Sequence, residues 1–376
     1  AAESGASVLL VEQEPQLGGH LRYGDEKELL LLQELRAGVA AHANAIEVAS
    51  DAVVAGRYDQ NLVAVDTGDT LVKARAKVLV VAAGTIERPF VFAGNDTPGV
   101  MLSTAVRRLI NLYAVRPGER AVVVSANESG MAAANDLERS GVEVAELLEM
   151  RSSEEAGRLV AAHGGGRGLR RVELSDGRRI AADLLVTATG WTTPTSLLNM
   201  AGCRPQYQPD AARFLPGPLP DDVLATGGLV GDGTLEQLIE HGRKTGLVAA
   251  QRAAAVARRW RGMTPSMSAD TVPADTQRQP PSAAPLPPLP AAPHPELFRA
   301  ATHGFVDFSE DVSSKDIASA ATEGYDSMEL GKRYTTATMG PIQGKLESVN
   351  AVAALAEATG RSIAETAITT WRPPYS

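Results

Sequence analysis

The run Lys77-Val-Leu-Val-Val-Ala-Ala-Gly-Thr85 limits the fold more than any other stretch. A short valine-rich run closing on glycine predicts a buried strand whose end opens on a ligand crevice. The device returns at Leu184-Leu-Val-Thr-Ala-Thr-Gly-Trp191. Two such strands predict an α/β chain with two nested dinucleotide-binding units, Rossmann-like and three-layered.

At 376 residues the chain has room for two or three domains. Its 44% hydrophobic and 22% charged content is ordinary for a soluble globular protein. A net charge of −9 makes neither nucleic acid nor an anionic membrane an expected partner. The single cysteine, Cys203, excludes an internal disulfide framework. It also excludes a Cys-ligated zinc or iron–sulfur site made by this chain alone. No apolar run reaches the ~18 residues of a spanning helix. No signal peptide is visible, so the default compartment is the cytoplasm. The chain opens at Ala1 without Met and stops in Trp371-Arg-Pro-Pro-Tyr-Ser376, which predicts a fragment cut at both ends.

Ala1 to Gly5 reads as a helix tail stopped by Gly5. Ser7-Val-Leu-Leu-Val-Glu12 reads as a buried strand ending on an acid. An acid there can accept hydrogen bonds from ribose hydroxyls, or be a solvated strand end. Gln13 follows, and Gly18 and Gly19 would let the backbone pass close to a cofactor. The partner motif, a strand running into Gly-x-Gly-x-x-Gly, is expected upstream of Ala1.

Leucines at 29, 30, 32 and 35 predict a helix from Glu26 to Ala43. Ala45 to Val72 predicts a β-meander with Gly56 and Gly68 in turns. Ser103 is the expected cap of a helix through Leu112. Ala121-Val-Val-Val-Ser125 opens the second unit, where Ser125, Asn127 and Gly130 stand at the three glycine positions. Only the glycine that serves helix–strand packing survives, which predicts a degenerate unit. Helix Met131–Ser140, strand Val142–Leu148 and a hairpin over 167–181 complete it. Asp222-Val-Leu-Ala-Thr-Gly-Gly228 runs into a helix from Leu235 to about Trp260, a start that can offer backbone N–H groups to a phosphate or ribitol.

Residues 264–295 are rich in Pro, Ala and Ser and predict a linker. A small helical module follows. Ser313 is the expected cap of helix Lys315–Glu323, stopped by Gly324, and a last helix covers Ser348 to Thr359. Between them Lys332 to Lys345 reads as a polar loop of cations and threonines. It suits an oxyanion clamp or a solvated turn.

This order of motifs resembles the two-dinucleotide-binding-domain flavoprotein family, and within it the α subunits of heterotetrameric sarcosine oxidases. The marks are Val11-Glu12-Gln13 with Leu17-Gly18-Gly19, Ala82-Ala-Gly-Thr-Ile-Glu-Arg-Pro89 and Gly94-Asn-Asp-Thr-Pro-Gly-Val-Met101. Further marks are Gly304-Phe-Val-Asp-Phe308 and Lys332-Arg-Tyr-Thr-Thr336 with Gln343-Gly344-Lys345. The organisation implied has residues 1–112 and 183–261 as the first unit and 113–182 as the second. A linker at 262–298, a module at 299–370 and a connector at 371–376 toward a folate-binding domain complete it.

The resemblance implies NAD in the first unit, with Glu12, Gln13, Gly18, Gly19, Ala83, Gly84, Thr85, Gly190, Gly227 and Gly228 along the dinucleotide. It implies FMN at the interface with a β subunit, its phosphate faced by Arg333, Thr335, Thr336, Gln343 and Lys345. FAD would sit in the β subunit and tetrahydrofolate in the folate-binding domain. The implied partners are β, γ and δ subunits, and the implied reaction is oxidative demethylation of sarcosine to glycine.

Related subunits of hydrogen cyanide synthase and opine oxidases carry a cysteine-bound [2Fe–2S] cluster in the small module. Here Phe305, Phe308 and Ile342 stand where cysteines would be, which favours the sarcosine-oxidase type. Gly228 stands where many members place an aspartate on the flavin ribitol, which is compatible with NAD and leaves FAD as the alternative. An α-type subunit of another flavin dehydrogenase and a non-catalytic assembly scaffold are the rival readings. No catalytic acid–base pair stands out. The six histidines lack ligand spacing and read as surface or capping residues, and Cys203 reads as packing.

Overall fold

The structure is a computed structural model that describes residues 1–151, 157–261 and 294–369. Most of the expected linker (262–293) and the connector (371–376) lie outside the described residues. The fold is α/β, with Rossmann-like parallel layers and a small helical C-terminal module.

A short 3-10 turn stopped by left-handed Gly5 leads into β1 (Val8–Val11). Helix α1 (Glu26–Ala41) begins on an Asp25/Glu28 capping box and returns the chain to β2 (Ile46–Ala49), parallel to β1. β2 therefore belongs to the nucleotide layer and not to the meander. The meander is β3 (Val53–Tyr58), β4 (Leu62–Asp66) and β5 (Leu71–Arg75), all antiparallel. Gly68 makes its turn, but Gly56 sits inside β3 where the register shifts. A glycine absorbs that bulge as readily as a turn, so its residue type alone did not separate the two.

β6 (Leu79–Val81) follows, then β7 (Ile86–Glu87), β8 (Val100–Leu102) and α2 (Ser103–Tyr113). The second unit holds β9 (Arg120–Ser125), α3 (Glu128–Arg139) and β10 (Glu143–Glu149). Next come the antiparallel β11 (Leu159–Gly165), β12 (Gly168–Leu174) and β13 (Arg179–Ala181), then β14 (Leu184–Ala188). The parallel sheet runs β10-β9-β14-β8. It draws β8 and β14 from beyond the boundaries expected at 113 and 182.

Strand alternation explains the layers. Val122, Val124 and Leu185 point to one face, against Leu159, Val172 and Leu174 of the antiparallel sheet. Ala121, Val123, Leu184 and Val186 point to the other, against Val106 of α2 and Ala133 and Leu137 of α3. Every residue of β14 is buried. A Cβ on Gly130 would strike Ser125 Oγ and Ala188 Cβ, so its absence lets α3 press on the sheet.

The first unit is open. β15 (Trp191–Thr192) pairs with β7, α4 (Ser196–Asn199) follows, and β16 (Gln206–Gln208) pairs with β17 (Arg213–Leu215). β18 (Val223–Ala225) pairs in parallel with β6 and leads to α5 (Leu235–Arg261). β1 and β6, both expected to be buried, are only partly so: Leu9 is 39% exposed and Val80 38%. Each strand pairs along one edge only, and among the described residues no strand lies between them. Both line one cavity instead. Of the α1 leucines only Leu32 is buried, and Leu30 is 56% exposed.

Residues 294–300 are not a loose tether. Val91 N–H donates to Phe298 and Ala300 N–H to Val91, and Leu297 and Ala300 join the second unit's core. The buried Arg88 guanidinium donates to the carbonyls of Thr189, Ala212 and Leu297 and stacks on Phe298. Residues 294–298, expected in the linker, thus pack against the rest of the chain.

The module holds β19 (Phe305–Asp307), β20 (Val312–Ser313), α6 (Ser314–Thr322), α7 (Met328–Thr335), α8 (Ser348–Thr359) and α9 (Ile363–Thr366). Ser313 caps α6 through a capping box with Asp316. Lys332 to Thr335, expected in a loop, form the last turn of α7. Val306, Ile317, Met328, Val352 and Leu355 make the module's core, which also takes Val91 and Phe214.

Candidate functional site

A cavity of about 2230 Å³ opens between β1, β6 and one side of α5. Of the residues predicted for a cofactor, Glu12, Gln13, Gly19, Ala83, Gly84, Thr85, Gly228, Gln343 and Lys345 line it. These come from four parts of the chain, so the topology brings together what the sequence holds apart.

Glu12 ends β1. Its Oε1 accepts from Glu14 N–H at 3.0 Å, and among the described residues the other oxygen has no hydrogen-bond partner. Gly84 ends the β6 run at φ +65°, and no heavy atom lies within 4 Å of where its Cβ would be. Gly19, at φ +50°, is equally open. These positions leave bare backbone beside the cavity, as a closely approaching diphosphate requires. A Cβ on Gly228 would come within 3.3 Å of Thr85 Cγ2, which gives the glycine a packing reason as well.

The other predicted residues lie elsewhere. Gly18 leaves space for Leu32 Cδ1, and Gly190 for the Arg88 guanidinium. Gly227, at φ +74°, turns the chain into a 3-10 helix outside the cavity lining. Arg333 is exposed on α7 and pairs with Glu329 at 3.5 Å. Thr336 is exposed at φ +65°, and Thr335 Oγ1 donates to Gly331. The expected oxyanion set is thus divided: Arg333, Thr335 and Thr336 lie outside the cavity, whereas Gln343 and Lys345 line it.

Several residues around the cavity went unnoticed in the sequence. Glu14 accepts from Arg22 at 2.8 Å and from Arg108 at 3.0 Å. Burial alone would raise its pKa, but the two guanidiniums outweigh that and hold it below the usual carboxylate range. His20 is exposed, as a surface histidine is expected to be, with its ring 5.6 Å from Tyr23 and 5.7 Å from Trp191. Desolvation by these neighbours, then Arg107 and Arg108, push its pKa down. Burial pushes Tyr23 up to about 12. Glu87 is fully buried at the start of α2, where it accepts from Ser103 Oγ and from Thr104 N–H and Oγ1, both at 2.7 Å. Ser103 is therefore the first residue of α2 and not its cap, because a carboxylate from β7 takes that place. Burial pushes Glu87 up in spite of those bonds.

The mouth of the second unit is filled by its own side chains. Asn127 Oδ1 accepts from Ser129 N–H at 3.0 Å, and Ser125 Oγ donates to the Asn127 carbonyl at 2.9 Å. Glu128 in the first turn of α3 pairs with Arg151 at 2.7 Å. A phosphate would meet a used donor there. Cys203 is buried beside Leu198 and Val223, and burial pushes its thiol up. His241 is also buried, bonded to Thr226 Oγ1 at 2.8 Å. Among the described residues no group of three His, Cys, Asp or Glu could hold a metal, and no helix is long and apolar enough to cross a membrane.

Residues 301–376 match the Sarcosine oxidase A3 domain. The chain is 35% identical over 313 residues to the sarcosine oxidase subunit alpha of Rhizobium meliloti (strain 1021), covering 79% of this chain and 30% of that one. It is 28% identical over 426 aligned positions to the sarcosine oxidase subunit alpha of Corynebacterium sp. (strain P-1), covering 100% of this chain and 42% of that one. The fold resembles that of L-proline dehydrogenase from P. horikoshii, with a TM-score of 0.72 at 19% identity over 98% of this chain and 73% of that one. The chain thus spans well under half the length of these two relatives, and it is a homologue of part of the sarcosine oxidase alpha subunits.

Proposed function

We propose that this chain is the nucleotide-holding part of an α subunit in a sarcosine-oxidising flavoenzyme. The observation that carries this is the convergence of Glu12, Gly19, Gly84 and Thr85 on one cavity at the carboxyl ends of β1 and β6. In that reading the open Glu12 oxygen takes a ribose hydroxyl, and the bare backbone at Gly19 and Gly84 lies along a diphosphate. NAD is the favoured dinucleotide, because Gly228 offers no carboxylate to a ribitol chain.

The wider assembly belongs to the same proposal, and relatives named as alpha subunits support a multi-subunit arrangement. A β subunit would carry FAD and the amine-oxidising site, with FMN between β and this chain. The γ and δ subunits and a tetrahydrofolate-binding domain would complete the enzyme. The flavins would supply the electron-accepting chemistry that turns sarcosine into glycine. This chain would bind and orient: its cavity holds the dinucleotide, and Arg333, Thr335 and Thr336 offer a cation and hydroxyls to the FMN phosphate from outside that cavity. The second unit, its mouth filled by Asn127 and Ser125, would assemble the layers without holding a nucleotide.

The test is chemical. The assembled enzyme, denatured, is expected to release NAD, FAD and FMN, and Glu12→Ala to lower NAD selectively. Release of no NAD from the wild type, or undiminished NAD in Glu12→Ala, overturns the first-unit reading.

A further inference from the structure

The small module reaches back to the groove of the first unit. Asn350 Nδ2 donates to the Pro89 carbonyl at 2.7 Å, which sets the start of α8 against the loop continuing from Gly84 and Thr85. Five residues before Asn350, Lys345 lines the same cavity as Glu12, Gly84 and Thr85. The turn that carries it is firmly built. Gln343 Nε2 donates to the carbonyls of Met339 at 3.0 Å and Gly340 at 2.9 Å. Gly344, at φ +79°, leaves room for Ser348 Oγ. Thr338 N–H is held by buried Asp307 at 2.7 Å.

The charge of Lys345 is uncompensated. The side chain is partly buried and has no ion-pair or hydrogen-bond partner among the described residues. Of the other side-chain cations on the cavity, Arg108 is held by Glu14, Arg75 by the Gln60 amide, and Lys77 is exposed to water, whereas Lys345 is partly buried. Desolvation is the one influence on the Lys345 ammonium, and it lowers the pKa. Removing an ammonium from water without a counter-charge costs stability, so a partly buried one facing a cavity marks a place for an anion.

We propose that Lys345 binds a phosphate of the dinucleotide held in the first unit, so that the small module closes the nucleotide site. This rests on the dinucleotide reading above and reassigns Lys345 away from the FMN phosphate. Glu12 then recognises the ribose from β1, and Lys345 recognises the diphosphate from the module. The ligand class is a nucleoside diphosphate, and the module gains a second role besides meeting a partner subunit.

The experiment titrates NAD+, ADP and adenosine into the assembled enzyme after its bound nucleotide has been removed, at two salt concentrations. Lys345→Ala is expected to weaken NAD+ and ADP about ten-fold, as for one lost charge-assisted hydrogen bond, and to leave adenosine unchanged. The salt dependence of NAD+ binding falls with it, and Lys345→Arg keeps most of the affinity. Glu12→Ala weakens all three ligands. Unchanged NAD+ binding in Lys345→Ala, an equal loss for adenosine, or a loss of FMN with NAD+ unaffected overturns the role of Lys345 while leaving that of Glu12 intact. Failure of the wild type to bind NAD+ overturns both.

Discussion

Asn350 Nδ2 and the Pro89 carbonyl meet at 2.7 Å across 261 residues of chain. The pair ties the first buried turn of α8 to the segment that follows Glu87 of the cavity lining. Asn350 is 2% exposed, so water does not readily replace the partner of its amide. Replacing Asn350 with Ala is expected to cost about 1–3 kcal/mol and to loosen the module before the rest of the chain. Hydrogen exchange in residues 336–350, compared with β9, checks this. Uniform acceleration in both regions would show that the bond does not act locally.

Glu87 makes a sharper case. Its carboxylate accepts from Ser103 and Thr104, and Ser103 Oγ lies 2.7 Å from Ser129 Oγ at the start of α3. One buried acid thus organises two helix starts. Glu87→Ala strips α2 of its cap and leaves buried donors unpaired, an expected loss of about 2–4 kcal/mol. Glu87→Gln keeps one acceptor and is expected to cost less. Chemical denaturation of both variants measures the order, and equal losses would deny the carboxylate its capping role.

Much of this architecture was readable beforehand where local pattern and tertiary burial agree. Val122 and Val124 alternate with Ala121 and Val123 in a strand covered on both faces, so the apolar run said what it was. The capping box at Ser313 and the bounds of α8 depend on neighbouring residues and came through for that reason. What failed depends on distant partners. The apolar run at β6 looks like that at β14, but only β14 has a paired strand on each edge. Gly18 and Gly190 have positive φ as a cofactor-lining glycine would, yet Leu32 and Arg88 fill the space of their missing Cβ atoms. Glu87, standing before Arg88-Pro89, looks like a surface turn, and nothing near it in sequence announces Ser103 or Thr104.

Arg333 tests the side of the module proposed to face a partner subunit. It is exposed on α7 with a single pairing to Glu329 at 3.5 Å, so its removal costs the isolated fold little. Arg333→Ala is expected to lower the FMN content of the assembled enzyme several-fold and to leave NAD unchanged. Flavin absorbance with quantitation of released nucleotides distinguishes the two. Equal FMN in variant and wild type would remove Arg333 from the flavin phosphate.

Glu347 gives the module a dependence on pH. It is 2% exposed at the start of α8, and burial, with the Asp307 carboxylate beside it, pushes its carboxyl from 4.5 up to about 7. Between those values the folded chain holds a proton that the unfolded chain has lost. Stability from this group is therefore complete below pH 4.5 and is lost as the pH rises through 7. The shift corresponds to a contribution on the order of 3 kcal/mol. Glu347→Gln carries no such proton, so its unfolding free energy is expected to change less between about pH 5 and about pH 8. The variant should overtake the wild type at the upper end. Denaturant unfolding of both proteins across that range checks the sign, and parallel curves would mean that Glu347 is already ionised in the fold.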